Sequence, residues 1–218
     1  SASSYGLYAN HHPDIHAMVF DDTDPSRYAV LYTGTDGGVH KTTNISLPTI
    51  NWTDLNNNYQ TLQYYHVAMD PQAGSDIVIG GTQDNGTKAG GEDWGMINAT
   101  TQASVFPGDG VSVGISRDDA CLPFFMGYQN GVIYRDCPSG GFITPEINLD
   151  DPYPSQFVTL FHLDQDNNKT LYYAAEGTLL RTTDATNVTS STWDVLGDIF
   201  THFTHNDFIQ TFSTSWGT

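Results

Sequence analysis

Short apolar, β-branched stretches alternate along the chain with turns rich in Asp, Asn and Gly. The clearest example ends at Ile79 and runs into the turn Gly80-Gly81-Thr82-Gln83-Asp84-Asn85-Gly86. Stretches of this length between such turns are typical of β-strands joined in hairpins, because Asn, Asp and Gly tolerate tight-turn backbone conformations. No segment shows the periodicity of an amphipathic helix. The sequence therefore predicts an all-β fold.

The pattern of strands and turns repeats four times. Equivalent turns contain glycines spaced by 49, 45 and 46 residues, namely Gly37, Gly86, Gly131 and Gly177. Each repeat has strands A, B and C, followed by a fourth strand D expected around Trp52, Trp94 or Trp193. A period in the mid-forties with several short strands is typical of β-propeller blades. A β-sandwich is the alternative, but it does not predict near-equal repeats.

Several of these turns resemble those of secreted bacterial propellers of the sialidase superfamily, of the xyloglucanase-like and sortilin-like kinds. The resemblance rests on Gly34-Thr35-Asp36-Gly37-Gly38, on Gly81 to Gly86, and on the opening His12-Pro13-Asp14-Ile15-His16-Ala17. Thr182-Thr183-Asp184 before Trp193, and Thr42-Thr43-Asn44 before Trp52, resemble the Asp-box of that superfamily without its glycines and with longer loops. The resemblance implies a propeller fold, and it specifies activity poorly.

We therefore expect residues 1–218 to be one β-propeller portion of about four four-stranded antiparallel blades. The blades are expected at about 15–60, 61–105, 106–152 and 153–200, and residues 201–218 should begin a further blade. The resemblance implies a ring of six to eight blades. Because an open ring would expose sheet edges, we expect the remaining blades to come from the same chain or another chain.

Charge narrows the choice of partner. The chain has 25 acidic and 7 basic residues, a net charge of −18, so nucleic acid and anionic membranes are poor partners, because little positive charge is available to neutralise phosphates. No run is apolar enough to span a membrane. Cations, neutral sugars and basic protein surfaces remain compatible, although the acidity also serves solubility. The chain begins without Met or a signal peptide, and we expect a mature chain or excised fragment of a secreted or cell-surface protein.

Propeller topology places the B–C turns and the D-to-A connections on one face, called here the B–C-turn face. The A–B turns and C–D loops lie on the other. The B–C turns contribute Asp36, Gln83, Asp84, Asn85, Gln129, Asn130 and Glu176. The D-to-A connections contribute His11, His12, Asp14, His16, Tyr64, Tyr65 and Asp109. If the chain binds something, we expect His12, Asp14, His16, Gln83, Asp84, Asp109 and Gln129 to take part.

Two groups on this face have catalytic or metal-binding chemistry. His12, Asp14 and His16 alternate, so on a strand they would point to one side and could hold a transition metal. The alternative is a set of rim histidines that hydrogen-bond to turns. Asp36, Asp84, Asp109 and Glu176 lie on this face and could supply the carboxylate pair of a glycoside hydrolase, with Asp36, Asp84 and Asp109 as the catalytic candidates. The alternative is turn chemistry, since each lies in a turn or beside Gly.

Calcium is the one cofactor that the acidic turns suggest. Asp164-Gln165-Asp166-Asn167-Asn168 presents alternating oxygen ligands, as calcium loops do. It falls at an A–B turn and lacks the glycine of the helix-loop-helix calcium motif, so an ordinary turn is the alternative. Sialidase chemistry is disfavoured, because the four arginines do not form a cluster along the repeats.

The two cysteines are Cys121, at the start of strand B in the third repeat, and Cys137, at the end of strand C. Their hairpin turns midway between them, so they should lie opposite each other and form a disulfide. The alternative is two buried free thiols. A disulfide implies an oxidising compartment. The sequence thus predicts an extracellular or cell-surface propeller module that binds glycan or protein through the B–C-turn face. The alternative is an extracellular xyloglucanase-like glycoside hydrolase using paired acids of that face.

Overall fold

The computed structural model describes residues 10–23, 25, 29–57, 62–96, 98, 100–117, 121–137, 140–145, 156–175, 177–198 and 209. These residues form four four-stranded antiparallel sheets and one short 3-10 helix. In each sheet the strands are ordered A-B-C-D, as in a propeller blade. The all-β prediction of a partial propeller with four blades is therefore confirmed. No helix of this described part is long and apolar enough to cross a membrane.

The sixteen strands divide evenly among the four blades. Blade 1 contains β1 (Ile15–Phe20), β2 (Leu31–Thr35), β3 (Gly38–Thr42) and β4 (Thr53–Asp54). Blade 2 contains β5 (Tyr64–Met69), β6 (Val78–Thr82), β7 (Gly86–Gly90) and β8 (Gln102–Phe106). Blade 3 contains β9 (Gly110–Ile115), β10 (Phe124–Tyr128), β11 (Val132–Arg135) and β12 (Gly141–Phe142). Blade 4 contains β13 (Leu160–Leu163), β14 (Leu171–Ala175), β15 (Thr178–Thr182) and β16 (Asp194–Asp198).

The chain forms two compact units. Ser1–Thr61 contains blade 1, and Leu62–Thr218 contains blades 2 to 4. In the first unit, the His11 ring lies 4.1 Å from the Trp52 ring and 5.1 Å from the His40 ring. Trp52 and His40 are both buried. These contacts join the segment before β1 to strand C and to the residue before strand D of blade 1.

In the second unit, the core lies between neighbouring blades. Side chains of a strand alternate between its two faces, and β10 is buried on both. Phe124 and Met126 pack into the cluster shared with Ile79 of blade 2, whereas Phe125 packs into the cluster shared with Leu171 of blade 4. This explains why β10 is continuously apolar in sequence. Blade 3 therefore packs against blade 2 through one face of β10 and against blade 4 through the other.

The position of Trp94 relative to strand D of blade 2 differs from the prediction. Trp52 and Trp193 directly precede β4 and β16, but Trp94 ends a 3-10 helix (Glu92–Trp94), and strand D of blade 2 is β8. The strand predicted around Trp94 was wrong. The helix forms there because the Asp76 carboxylate accepts hydrogen bonds from the backbone N–H groups of Glu92 (2.7 Å) and Asp93 (2.9 Å), which stabilises its first turn.

The predicted disulfide between Cys121 and Cys137 is confirmed. The two Cα atoms lie 6.4 Å apart, just outside the ends of the β10–β11 hairpin. The Asp136 carboxylate, next to Cys137, accepts a hydrogen bond of 2.8 Å from the Phe124 backbone N–H. The open end of this hairpin is therefore closed by a covalent bond and a polar contact.

Candidate functional site

The B–C-turn face of the second unit is held together by a chain of side-chain hydrogen bonds. The backbone N–H of Asp84, in the β6–β7 turn, donates to Asp109 Oδ1 at 2.8 Å. The backbone N–H of Asp109, in the β8–β9 connection, donates to Gln129 Oε1 at 2.9 Å. Gln129 belongs to the β10–β11 turn. Three of the predicted binding residues thus meet across two blades.

Turn chemistry explains why these residues project where they do. Asp84 and Asn130 have left-handed φ values of 59° and 61°. Gly86, two residues after Asp84, and Gly131, directly after Asn130, also have positive φ. Asp and Asn tolerate this conformation better than other side chains. The Gly86 backbone N–H then donates to the carbonyl of Gly108 at 2.7 Å. The turn of blade 2 is thereby fastened to the connection that leads into blade 3.

Tyr65 joins the same cluster. Burial raises the pKa of its phenol, and the negative charges of Asp109 and Asp84 raise it further. The hydroxyl therefore stays protonated at neutral pH and can donate a hydrogen bond. The side chain is 36% exposed, so a ligand can reach it. We define the rim as Tyr65, Gln83, Asp84, Asp109 and Gln129.

A shallow groove of about 390 Å³ adjoins the rim. Its lining residues include Asp84, Asn85, Phe106 and Pro107. The Phe106 ring stacks on Tyr134 with centroids 4.8 Å apart, which fixes its orientation. The groove thus combines hydrogen-bonding oxygens with an apolar surface.

The predicted residues of the first unit form local pairs. His16 lies in β1 and contacts the carboxylate of Asp36 in the β2–β3 turn. His12 precedes the strand, and its Nδ1 accepts a hydrogen bond of 3.2 Å from the Asp14 backbone N–H. The expectation that His12, Asp14 and His16 alternate along one strand was therefore wrong, because only His16 lies in β1. A metal held by these three residues stays a prediction.

The A–B turn of blade 4 shows turn chemistry. Asp164 Oδ1 accepts hydrogen bonds from the backbone N–H groups of Asp166 (2.9 Å) and Asn167 (3.0 Å). This is the side-chain-to-backbone bonding of an Asx turn. Calcium binding by Asp164 and Asp166 stays a prediction. Glu176, the remaining predicted carboxylate, and residues 201–208 and 210–218, where a further blade was expected to start, lie outside the described residues.

The three described arginines have structural partners. Arg117 Nε donates to Asp70 Oδ1 at 2.7 Å, and its NH2 group contacts the other carboxylate oxygen. Arg135 NH1 donates to the carbonyl of Ala185 at 2.9 Å, linking blade 3 to blade 4. Arg181 lies 3.5 Å from Asp194 on its own blade. Each described arginine thus has its own partner, and the absence of a substrate clamp stays a prediction.

Sequence reasoning missed a cavity lined by the inner strands of the second unit. Its volume is about 620 Å³, and β5, β9 and β13, the A strands of three successive blades, contribute most of its wall. His66 of β5 and His162 of β13 both line it. The sequence did contain one indication of this pair. Both histidines lie in A strands, and the A strands of a propeller run nearest its axis. Because they belong to different blades, no local motif joins them.

Burial lowers the pKa of His66, and the nearby His162 lowers it further. Burial also lowers the pKa of His162, although the charge of Asp164 acts in the opposite direction. Both imidazoles are therefore mainly neutral at neutral pH. His66 is exposed, and its backbone contact with Val113 raises its pKa, against the lowering by burial and by His162.

The chain matches no family model and no curated protein. It is similar to the solved extracellular domain of a proposed one-component system from B. thetaiotaomicron, with 18% identity, a TM-score of 0.45, and coverage of 87% of this chain and 23% of that chain. It is also similar to the computationally designed protein Ika8, with 15% identity, a TM-score of 0.37, and coverage of 92% and 52%. The resemblance to the sialidase superfamily has no family match to support it.

Proposed function

We propose that this chain is a ligand-binding propeller module of an extracellular or cell-surface protein, and that its rim binds a neutral carbohydrate. The observation that carries this proposal is the hydrogen-bonded chain from Asp84 through Asp109 to Gln129, with the Tyr65 phenol beside both carboxylates. It brings carboxylate, amide and phenol groups to one exposed edge. Blade 2 supplies Tyr65 and Asp84, and blade 3 supplies Gln129.

The chemistry of the rim suits sugar hydroxyl groups. Carboxylate and amide oxygens accept hydrogen bonds from hydroxyls, and the Tyr65 hydroxyl can donate one. Phe106 and Pro107 in the adjoining groove offer apolar contact to the C–H face of a sugar ring. The net charge of −18 disfavours anionic glycans, because no basic cluster of the described part is available to bind them.

The disulfide supports the proposed location. Structural disulfides persist in oxidising compartments and are rare in the cytosol. Cys121 and Cys137 close one hairpin, and no free cysteine is found in the described part. An extracellular module that binds sugars is consistent with both observations.

Binding is favoured over hydrolysis by the role of Asp109. Its Oδ1 holds the backbone of Asp84, and its own N–H is held by Gln129. A general acid or nucleophile needs a carboxylate directed at the glycosidic bond, whereas this carboxylate is already used to fix a turn. The glycoside hydrolase alternative therefore has less support from the geometry.

The test is a glycan array with the full chain, followed by titration calorimetry on the best neutral oligosaccharide. Asp84→Asn and Tyr65→Ala should each weaken binding by about tenfold, the loss expected for a hydrogen bond or stacking contact. The matched control is Glu92→Gln, which removes one exposed negative charge in the C–D loop of blade 2. It should leave the affinity unchanged.

Three outcomes would contradict the proposal. If no neutral glycan binds but a basic protein does, the rim is a protein-binding surface. If a bound glycan is cleaved and Asp84→Asn or Asp109→Asn abolishes cleavage, the chain is a hydrolase. If Glu92→Gln weakens binding as much as Asp84→Asn, the affinity depends on net charge and not on the rim.

A further inference from the structure

Blades 3 and 4 are joined by a reciprocal pair of hydrogen bonds. Arg135, the last residue of strand C in blade 3, donates from NH1 to the carbonyl of Ala185 at 2.9 Å, in the C–D loop of blade 4. In the other direction, Trp193, just before strand D of blade 4, donates from Nε1 to the carbonyl of Ile143 at 2.9 Å. Ile143 directly follows strand D of blade 3. Each blade therefore supplies one donor and one acceptor to the other.

Blade 4 carries the blade 3 half of this arrangement on the side of its sheet turned away from blade 3. Arg181 lies four residues after its turn glycine, as the strand C arginine of blade 3 does, with Tyr172 and Leu179 beside it. The corresponding residues of blade 3, Phe125 and Ile133, are fully buried, whereas Tyr172 and Leu179 are half-buried. The Arg181 side chain is 36% exposed, and its Nε has no acceptor in the described part. We define the outer face of blade 4 as Tyr172, Leu179 and Arg181.

Blade 1 carries the blade 4 half in its C–D loop. The Ala185 backbone N–H, in the loop that accepts the arginine of blade 3, donates to the carbonyl of Lys169 at 2.7 Å. In blade 1, the Ile45 backbone N–H donates to the carbonyl of Ala29 at 2.9 Å, at the same place relative to strands B and C. The loop of blade 1 is therefore built like the loop that receives an arginine from a preceding blade.

The same side of blade 1 has an unsatisfied donor and an exposed apolar side chain. Trp52 directly precedes strand D, as Trp193 does in blade 4. Trp52 is buried, but its Nε1 has no acceptor in the described part, and a buried donor without an acceptor is destabilising. By strand register, Met18 occupies the position of Phe161, which packs into the core shared with blade 3. Met18 is 60% exposed, whereas Phe161 is 2% exposed. We define the open face of blade 1 as Met18, Ile45 and Trp52.

We propose that the outer face of blade 4 packs against the open face of blade 1 in a second copy of this chain. Arg181 then donates to the carbonyl groups of the C–D loop around Ile45. Trp52 donates from Nε1 to the backbone at the end of β16, and Met18 packs on Leu179. This contact reproduces the hydrogen bonds that join blades 3 and 4, and it places an apolar side chain where the core between those blades has one.

A second copy is favoured because it carries both matching elements on one face. The C–D loop of blade 2 contains the 3-10 helix, and Trp94 packs against Phe124 of blade 3 at a ring distance of 5.6 Å. Of the four described blades, blade 1 alone therefore combines this type of loop with a tryptophan donor that has no acceptor. The net charge of −18 opposes contact between copies, so association should strengthen when salt screens the repulsion.

Sedimentation velocity of the full chain tests the proposal. The parent should form complexes of two or more copies as its concentration rises, and more of them at about 0.5 M than at about 0.15 M salt. Arg181→Glu removes the donor of one face, and Met18→Asp places a charge in the other. Each substitution should weaken association by at least about tenfold, because an unpaired charge would be buried in the contact. Circular dichroism checks that each variant is folded.

Mixing the two variants shows whether the contact joins unlike faces. Arg181→Glu keeps the open face of blade 1 intact, and Met18→Asp keeps the outer face of blade 4 intact. The mixture should therefore form pairs that contain one copy of each variant, although neither variant associates alone. A fluorescent label on one variant identifies these mixed pairs. The matched control is Val195→Asp, because Val195 is 59% exposed and pairs with Leu180 on the opposite side of blade 4. It should associate as the parent does.

Three results would overturn the proposal. A parent that stays monomeric at every concentration and at both salt levels would leave the outer face of blade 4 to a different partner. Variants that stay monomeric when mixed would show that the contact does not join these two faces. Equal loss of association in Val195→Asp and Met18→Asp would show a general effect of added negative charge. None of these results depends on sugar binding at the rim, because each is read from mass alone.

Discussion

Arg117 of the second unit donates from Nε to Asp70 Oδ1 at 2.7 Å, and its NH2 group contacts the other oxygen of that carboxylate. Asp70 follows the A strand of blade 2 and Arg117 follows the A strand of blade 3, so this bidentate pair joins neighbouring blades at the A–B end. The Asp70 residue is buried. A charge-assisted fork of this type is among the stronger polar contacts in proteins.

The first prediction concerns the pH dependence of stability. The hydrogen bonds from Arg117 lower the pKa of Asp70 from 3.8 to about 2. Because the folded-state pKa is depressed, the stabilisation is fully present above about pH 4 and is lost as pH falls from 3.8 towards 2. Asp70→Asn should lower the free energy of unfolding by about 1–2 kcal/mol at pH 7, a value reduced for the solvent exposure of Arg117.

Urea unfolding at several pH values measures this effect. The difference in unfolding free energy between the parent and Asp70→Asn should shrink as pH falls below 4, since a protonated Asp70 no longer pairs with Arg117. Other carboxylates titrate equally in both proteins and cancel. A difference that stays constant down to pH 2 would show that the substitution acts through packing and not through charge.

The second prediction concerns the close approach of β6 and β9. A Cβ atom added at Gly81 would overlap the carbonyl oxygen of Val111 and lie 2.6 Å from the Gly110 carbonyl carbon. Backbone atoms cannot rotate away as a side chain can. Gly81→Ala should therefore separate blades 2 and 3 locally and cost about 3 kcal/mol of unfolding free energy.

Gly197→Ala is the matched control for that substitution. It places the same methyl group in strand β16, where no heavy atom lies within 4 Å of the added Cβ. Its unfolding midpoint in urea should stay close to that of the parent. Equal losses for the two variants would mean that glycine in a strand, and not the contact with blade 3, determines the cost.

The third prediction concerns the disulfide. Cys121 and Cys137 have a sequence separation of 16. A disulfide that closes a loop of this length stabilises a fold by about 3 kcal/mol, because it reduces the conformational entropy of the unfolded chain. The double variant Cys121→Ser/Cys137→Ser should lose about that amount. Reduction of the parent by dithiothreitol should lower its free energy of unfolding by the same amount. As an internal control, dithiothreitol should not change the stability of the double variant. A parent insensitive to reduction would contradict the expectation.

Much of the fold was predictable because its determinants are local. The turn at Asn130-Gly131 and the symmetric positions of Cys121 and Cys137 around it are visible in the sequence, and both are found in the structure. The 3-10 helix at Trp94 was missed because the carboxylate that stabilises it, Asp76, lies in a different segment.

Contacts between blades set the limit for predicting the candidate sites. The sequence placed Asp84, Asp109 and Gln129 on one face by topology, but it did not show that Asp109 bonds to both neighbours. The pair of His66 and His162 was missed altogether, because a cavity wall built from three blades has no signature in any one of them. Residues that meet only after the blades pack are therefore found from the structure.

The fourth prediction concerns the two cavity histidines without any ligand. Burial lowers the pKa of both imidazoles, and repulsion from His162 adds to the effect at His66. In the unfolded chain they take up protons near pH 6.5, but in the folded protein they do so only at lower pH. The unfolded state therefore binds more protons in this interval, and folding stability should fall as pH decreases below about 6.5.

Thermal unfolding at pH 7.5 and pH 5.5 measures this loss. The parent should show a larger decrease in Tm than the double variant His66→Gln/His162→Gln, in which the two titrating groups are absent. An equal decrease in both proteins would show that the imidazoles are accessible to protons in the folded state, and that the cavity does not resist their ionisation.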